Sequence, residues 1–263
     1  MDRLFLAISS AFFLAGILYA VVALTSGKYR QSSWNLLAIA GGFLFQTAFL
    51  YSRGQVHGRC PITNLPEILI FLAWAMAIIY FLFGPTYRLS LLGLFTSPLV
   101  FCLQLPGLLL PFDREAAAAR AAEKVLNPWV ELHISVALLA YGAFAMACVA
   151  GVMFLVQERQ IQKGRLDALF YNLPPINILT RTILRLLGLG LALLLVGLGS
   201  AHKIPASFLQ DHPIWPLYII LVAYALILGV ALTRGIAPRR LAVSAVIAFA
   251  FPILSLWLVS PSH

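Results

Sequence analysis

Long apolar stretches, each bounded by a few charged or turn-forming residues, recur along the whole chain. They run approximately over Leu4–Thr25, Trp34–Ser52, Pro66–Phe83, Leu89–Leu110, Trp129–Val156, Leu179–Ala201, Trp215–Thr233 and Arg240–Val259. A bilayer core about 30 Å thick needs roughly 20 apolar residues per helix, and each run is of that order. None alternates apolar and polar positions with period two, which argues against a membrane barrel. Backbone hydrogen bonds in lipid are then satisfied only within helices. The pattern predicts an all-α, polytopic membrane helix bundle of about eight transmembrane helices, formed by residues 1–263 as a single integral membrane domain.

Composition strengthens this. With 62% hydrophobic and 10% charged residues and a mean hydropathy of +0.94, the chain carries more apolar surface than a soluble core of its length buries. The first run follows Arg3 as a signal peptide would, but it is too long, and SGKYRQSS offers no small-residue cleavage pattern.

Charge sets the expected orientation. One side receives Lys28, Arg30, Arg88, Arg159, Lys163, Arg165, Arg181, Arg234, Arg239 and Arg240. The other receives Arg3, Arg53, Arg59, Arg114, Arg120, Lys124 and Lys203, diluted by Asp113, Glu115 and Glu123. The positive-inside rule makes the first side cytoplasmic and places both termini outside. The net charge of +9 is spread over bilayer edges, where anionic lipid accounts for it. No clustered basic helix or stacking motif points to nucleic acid.

In this topology His57, His133, His202, His212 and the terminal His263 all lie on the outer side. Asn127, Pro128 and Trp129 open the fifth helix as cap, first-turn proline and headgroup-level aromatic. His133 follows about one turn inside, where an imidazole needs a hydrogen bond, a proton or a metal. Its face continues through Ala137, Ala140, Phe144 and Ala147, with Tyr141 adjacent. Two readings stand: the small residues admit a neighbouring helix and His133 bonds across the contact, or a flat haem approaches and the imidazole ligates its iron.

The stretch VHGRCPITNLPE adds Arg53 and Arg59 beside His57, with Cys60 three residues on. His-x-x-Cys alone lacks the four spaced donors of a zinc site. Cys60 is the cysteine expected to face an oxidising compartment, which leaves a reactive or intermolecularly paired thiol open, whereas Cys102 and Cys148 read as buried small side chains. Glu67, beside Pro66, suits the positive end of the third helix, and Asn64 suits its cap. Two outer segments remain. PFDREAAAARAAEKVL, residues 111–126, reads as a short amphipathic surface helix, and AHKIPASFLQDHPIW holds His202 and His212 in one loop. On the cytoplasmic side, residues 157–178 form the largest segment and the docking site expected for a soluble partner. Phosphate loops, zinc-protease motifs and nucleophile elbows are absent from the sequence, so no independent catalytic activity is expected.

VHGRCPITNLPEILIFLAW and NPWVELHISVALLAYGAFAMACVAG together resemble the cytochrome c assembly protein family, including its CcsA-like and HemX-like branches. The resemblance implies a multi-pass protein of the bacterial inner membrane that handles haem at the outer face. It implies that His133 in ELHIS matches an external axial histidine, and that His57 matches a histidine preceding the Asn64, Leu65, Glu67 pattern. The family's tryptophan-rich external segment is replaced here by AHKIPASFLQDHPIW, and the seventh run contains no histidine. This reduced form fits the HemX-like branch. The implied site comprises His133 and His57 as iron ligands, with His202, His212, Arg59, Asn64 and Glu67 around a non-covalent b-type haem. The implied partners are the lipid bilayer, other cytochrome c biogenesis membrane proteins and apocytochrome c. The alternative is a haem-free membrane scaffold or regulator acting through protein partners. Transport, suggested by Pro98 and Pro106 in the fourth run, lacks the paired broken helices it requires.

Overall fold

The computed structural model describes residues 2–25, 33–58, 60–62, 64–83, 92–110, 127–164, 174–204 and 214–259. Its helices are α1 (Asp2–Thr25), α2 (Ser33–His57), α3 (Leu65–Phe83), α4 (Leu92–Leu109), α5 (Pro128–Gln162), α6 (Ile176–Ala201), α7 (Trp215–Val230), α8 (Pro238–Ala248) and α9 (Ala250–Val259). They supply 8 spans long and apolar enough to cross a membrane, α8 and α9 together making the last. The chain is an all-α polytopic membrane protein. The expected surface helix at 111–126 lies outside the described residues, as do Arg59, His212 and His263.

Three boundaries differ from the apolar pattern, each for a local reason. α2 continues past Ser52 to His57, so His57 ends a helix instead of standing in a loop. Gly58, at φ 62°, then turns the chain away, the left-handed glycine stop common after helices. α5 continues past Val156 to Gln162, because the Glu, Arg and Gln of QERQIQ are good helix formers. Part of the expected cytoplasmic loop is therefore helix. The last span breaks at Phe249 between α8 and α9, three residues before Pro252, whose ring and missing N–H disfavour the preceding turn.

Small residues set the helix packing. A Cβ on Gly142 of α5 would lie 2.9 Å from Ala75 Cβ of α3, and one on Gly151 would lie 2.9 Å from the Ala242 carbonyl oxygen of α8. Gly190 of α6 makes room for the Phe144 ring, which stacks on Tyr224 of α7 with centroids 3.7 Å apart. Close backbone approach of this kind drives helix association in lipid, where burial against water cannot. α1 to α4 pack as one group, α5, α6, α7 and α8 as another, and α3 and α4 join them through α5.

Candidate functional site

Three contacts hold Cys60, Lys203 and His133 against α5 or α6. Cys60 Sγ lies 3.6 Å from Ser135 Oγ on α5. Lys203 Nζ, just beyond α6, stands 4.6 Å over the Trp129 ring. His133 reaches from the first turns of α5 to the last turns of α6. Cys60, between α2 and α3, thus lies against α5 two residues from His133.

Local sequence explains how each piece is held. Asn127 caps α5, its side-chain oxygen accepting the Trp129 N–H at 3.0 Å with Pro128 in the first turn. Asn64 caps α3 likewise, accepting the Glu67 N–H at 3.0 Å. The Glu67 carboxylate turns to α2 and accepts hydrogen bonds from Arg53 Nε, at 3.0 Å, and Arg53 Nη2. Asp2 adds a carboxylate oxygen 3.9 Å from Arg53 Nη1. Both Glu67 and Arg53 are buried. Asn64 and Glu67 are therefore drawn into a cap and an internal ion pair that together anchor the chain entering α3.

His133 is 6% exposed, and its Nδ1 lies 2.7 Å from the carbonyl oxygen of Gly197. A carbonyl only accepts, so Nδ1 carries the hydrogen and donates it, which in the neutral ring leaves Nε2 with a lone pair. Ser200 donates to the same oxygen at 2.6 Å. Ala137, Ala140, Phe144 and Ala147 are buried along this side of α5. The hydrogen bond across a small-residue contact is thus realised. It uses one nitrogen only, and Nε2 has no hydrogen-bond partner among the described residues.

A histidine oriented through one ring nitrogen by a backbone carbonyl, with the other nitrogen unprotonated, is the arrangement in which imidazole serves as a metal ligand. His133 would thereby be suited as a ligand to a haem iron. Among the described residues no group of three or more His, Cys, Asp and Glu side chains stands together to hold a bare metal ion. His202 is exposed just past the end of α6. His57 closes α2, its side chain being outside what is described, and Arg59 and His212 lie outside the described residues altogether.

Cys60 is half-buried, and burial, followed by the nearby carboxylates of Glu131 and Glu67, pushes its thiol above the usual value while the Ser135 hydroxyl opposes the shift. A thiol in this environment favours its protonated, less nucleophilic form at neutral pH. Four residues that shape the site escape sequence reasoning as participants: Arg53 as an internal partner, Ser135, Gly197 and Ser200. The signal for Gly197 and Ser200 is the run of small residues GLGSA at the end of α6.

An all-helical, polytopic membrane protein with an oriented, buried imidazole near one end of its spans defines the class. The chain belongs to the cytochrome c assembly protein family, whose pattern it matches over residues 62–261. It is 25% identical to Protein HemX of Brevibacillus brevis over 209 residues, 76% of this chain and 73% of the relative. It is 28% identical to Cytochrome c biogenesis protein CcsA of Synechococcus sp. (strain CC9902) over 239 residues, 80% of this chain and 78% of that one. The corresponding protein of Chlorella vulgaris is 28% identical over 148 residues, and there the chain spans about half of the relative, 47%.

Proposed function

We propose that this chain is an accessory membrane protein of cytochrome c-type biogenesis, resident in the bacterial inner membrane, that binds haem at the outer face through His133 Nε2. The observation that carries the reading is the hydrogen bond from His133 Nδ1 to the Gly197 carbonyl at 2.7 Å, which fixes the ring and in its neutral form leaves the Nε2 lone pair for a metal. Family membership over residues 62–261 and relatives named for cytochrome c biogenesis support the setting. The positive-inside distribution supports the orientation, with both termini outside.

Bound haem supplies the porphyrin that cytochrome c maturation consumes. This chain's residues hold and orient it. Gly197 and Ser200 set the His133 ring, and the Arg53–Glu67 pair with the Asn64 cap anchors the neighbouring segment. Lys203 and Arg59 would supply cations for the propionates, while His57, His202 or His212 would be the candidate for a second histidine ligand. Apocytochrome c and other biogenesis membrane proteins are the partners.

The protein purified in mild detergent should show a Soret band that His133→Ala abolishes. A preparation without that band, or a band indifferent to the substitution, overturns the haem reading. The haem-free scaffold reading has its own support, because the His133–Gly197 bond also ties α5 to α6. Under it, His133→Ala lowers thermal stability while cytochrome c maturation in cells continues.

A further inference from the structure

The carbonyl that orients His133 is shared. His133 Nδ1 donates to the Gly197 oxygen at 2.7 Å from α5, and Ser200 Oγ donates to the same oxygen at 2.6 Å from about one turn further along α6. Both lengths are those of ordinary hydrogen bonds, and a carbonyl oxygen has two lone pairs, so both donors can be held at once. Hydrogen bonds polarise the groups they join, and here each donor draws on electron density that the other also uses. The carbonyl therefore accepts each of them less strongly than it would accept one alone.

Helix geometry does not force this sharing. Thr96, Thr182 and Thr233 back-bond to the carbonyl four residues earlier, whereas Ser52 and Ser255 reach the one three residues earlier. Both choices are open to a hydroxyl in a helix. For Ser200 the first would be the carbonyl of Val196, and the structure shows the second, Gly197. The imidazole is held more tightly. A Cβ on Gly197 would lie 3.5 Å from the Ala137 nitrogen and 3.6 Å from the carbonyl oxygen of His133 itself, so α5 and α6 run backbone to backbone here and bring the ring against this acceptor. His133 and Ser200 are each 6% exposed, and a shielded donor without an acceptor is costly.

We propose that Ser200 is a positioning residue for His133. By sharing the Gly197 carbonyl, its hydroxyl restrains how far the Nδ1 hydrogen is drawn toward oxygen, and so sets how basic Nε2 is. The two nitrogens communicate through the ring: the more strongly Nδ1–H donates, the more electron density Nε2 offers to a metal. The consequence for iron rests on the haem reading, whereas the shared carbonyl does not, and the two are measured separately.

In haem-free protein labelled with ¹⁵N-histidine, with the His133 signal identified by its loss in His133→Ala, the Nδ1–H proton moves downfield as its hydrogen bond strengthens. Ser200→Ala should move it downfield. Ser200→Thr, which keeps a hydroxyl, should hold it at the wild-type position. A hydroxyl that only stabilises the end of α6 would lower Tm in Ser200→Ala and leave the proton where it was, and that outcome overturns the proposal. An upfield shift or a lost signal in Ser200→Ala also overturns it, because the hydroxyl would then support the His133 bond instead of restraining it. If Ser200→Ala fails to fold, Ser200→Cys takes its place with the same expected shift, since a thiol is close in size and a weak donor. The Soret band of wild-type protein given haemin reads the haem assignment independently. Its absence beside a downfield shift in Ser200→Ala overturns that assignment and still supports the shared carbonyl.

Discussion

Arg53 of α2 and Glu67 of α3 face each other inside the bundle, with 1% and 0% of their side chains exposed and two guanidinium nitrogens on one carboxylate oxygen. An Arg so placed is not a free cation awaiting a ligand. It holds the end of α2 against the start of α3. Removing one member takes from a buried charge its hydrogen-bonded partner, which costs up to about 3–5 kcal/mol, whereas replacing both by apolar residues of similar volume is often neutral. Arg53→Met and Glu67→Leu should each lower the thermal midpoint strongly, and the double variant should recover most of the loss. Equal destabilisation in single and double variants would show that the two act independently.

The glycines divide into two classes. At Gly142 and Gly151 an added methyl meets backbone, 3.1 Å from the Ala75 carbonyl carbon and 2.9 Å from the Ala242 oxygen. Neither obstacle can rotate away, so Gly142→Ala and Gly151→Ala should destabilise by about 1–3 kcal/mol through helix separation. At Gly197 the nearest atom is 3.5 Å away, and at Gly188 none lies within 4 Å. Alanine there should be neutral, or stabilising by about 0.5–1 kcal/mol from its better helix propensity. Thermal unfolding of the four variants in detergent separates the classes, and a uniform response would refute the distinction.

The division between legible and hidden features follows from how local each signal is. The eight spans are readable because lipid admits few alternatives to a long apolar helix. The Asn127 and Asn64 caps are readable because a cap and its N–H lie within three residues. Arg53 is hidden because a hydropathy boundary stops at Ser52 and its partner stands 14 residues on, in another helix. The Gly197 carbonyl is hidden more deeply, 64 residues from His133, since every backbone offers a carbonyl and only packing chooses one. The C-terminal end of α5 is missed because helix propensity outlasts the apolar pattern there.

Cys60 offers a test of the neighbourhood through its reactivity. Burial, then the Glu131 and Glu67 carboxylates, raise its pKa above the ordinary cysteine value, against the lowering influence of Ser135. A raised pKa means less thiolate at neutral pH, so maleimide should modify Cys60 more slowly than free cysteine and approach its rate only above about pH 9. Ser135→Ala removes the contact that favours thiolate and should slow the reaction further. Glu131→Gln removes a repelling charge and should accelerate it. Mass-spectrometric counting of alkylation at Cys60 reads both changes, and the same sign for both would mean that the contacts do not control the thiol.

The tautomer of His133 can be measured without haem, which separates the geometry of the site from its cargo. Because the Gly197 carbonyl can only accept, the structure requires hydrogen on Nδ1, which in the neutral ring leaves the lone pair on Nε2. In haem-free protein labelled with ¹⁵N-histidine, the His133 ring should therefore give a protonated Nδ1 signal and an unprotonated Nε2 signal at pH values where the imidazole is neutral. Gly197→Ala, which keeps the carbonyl, should preserve that pattern. A ring protonated on Nε2 would mean that Gly197 does not orient it, and the nitrogen assigned to iron would already be occupied by hydrogen. Retention of the Nδ1–H form together with a missing Soret band would instead leave His133 as a packing lock between α5 and α6, with the tautomer set by structure alone.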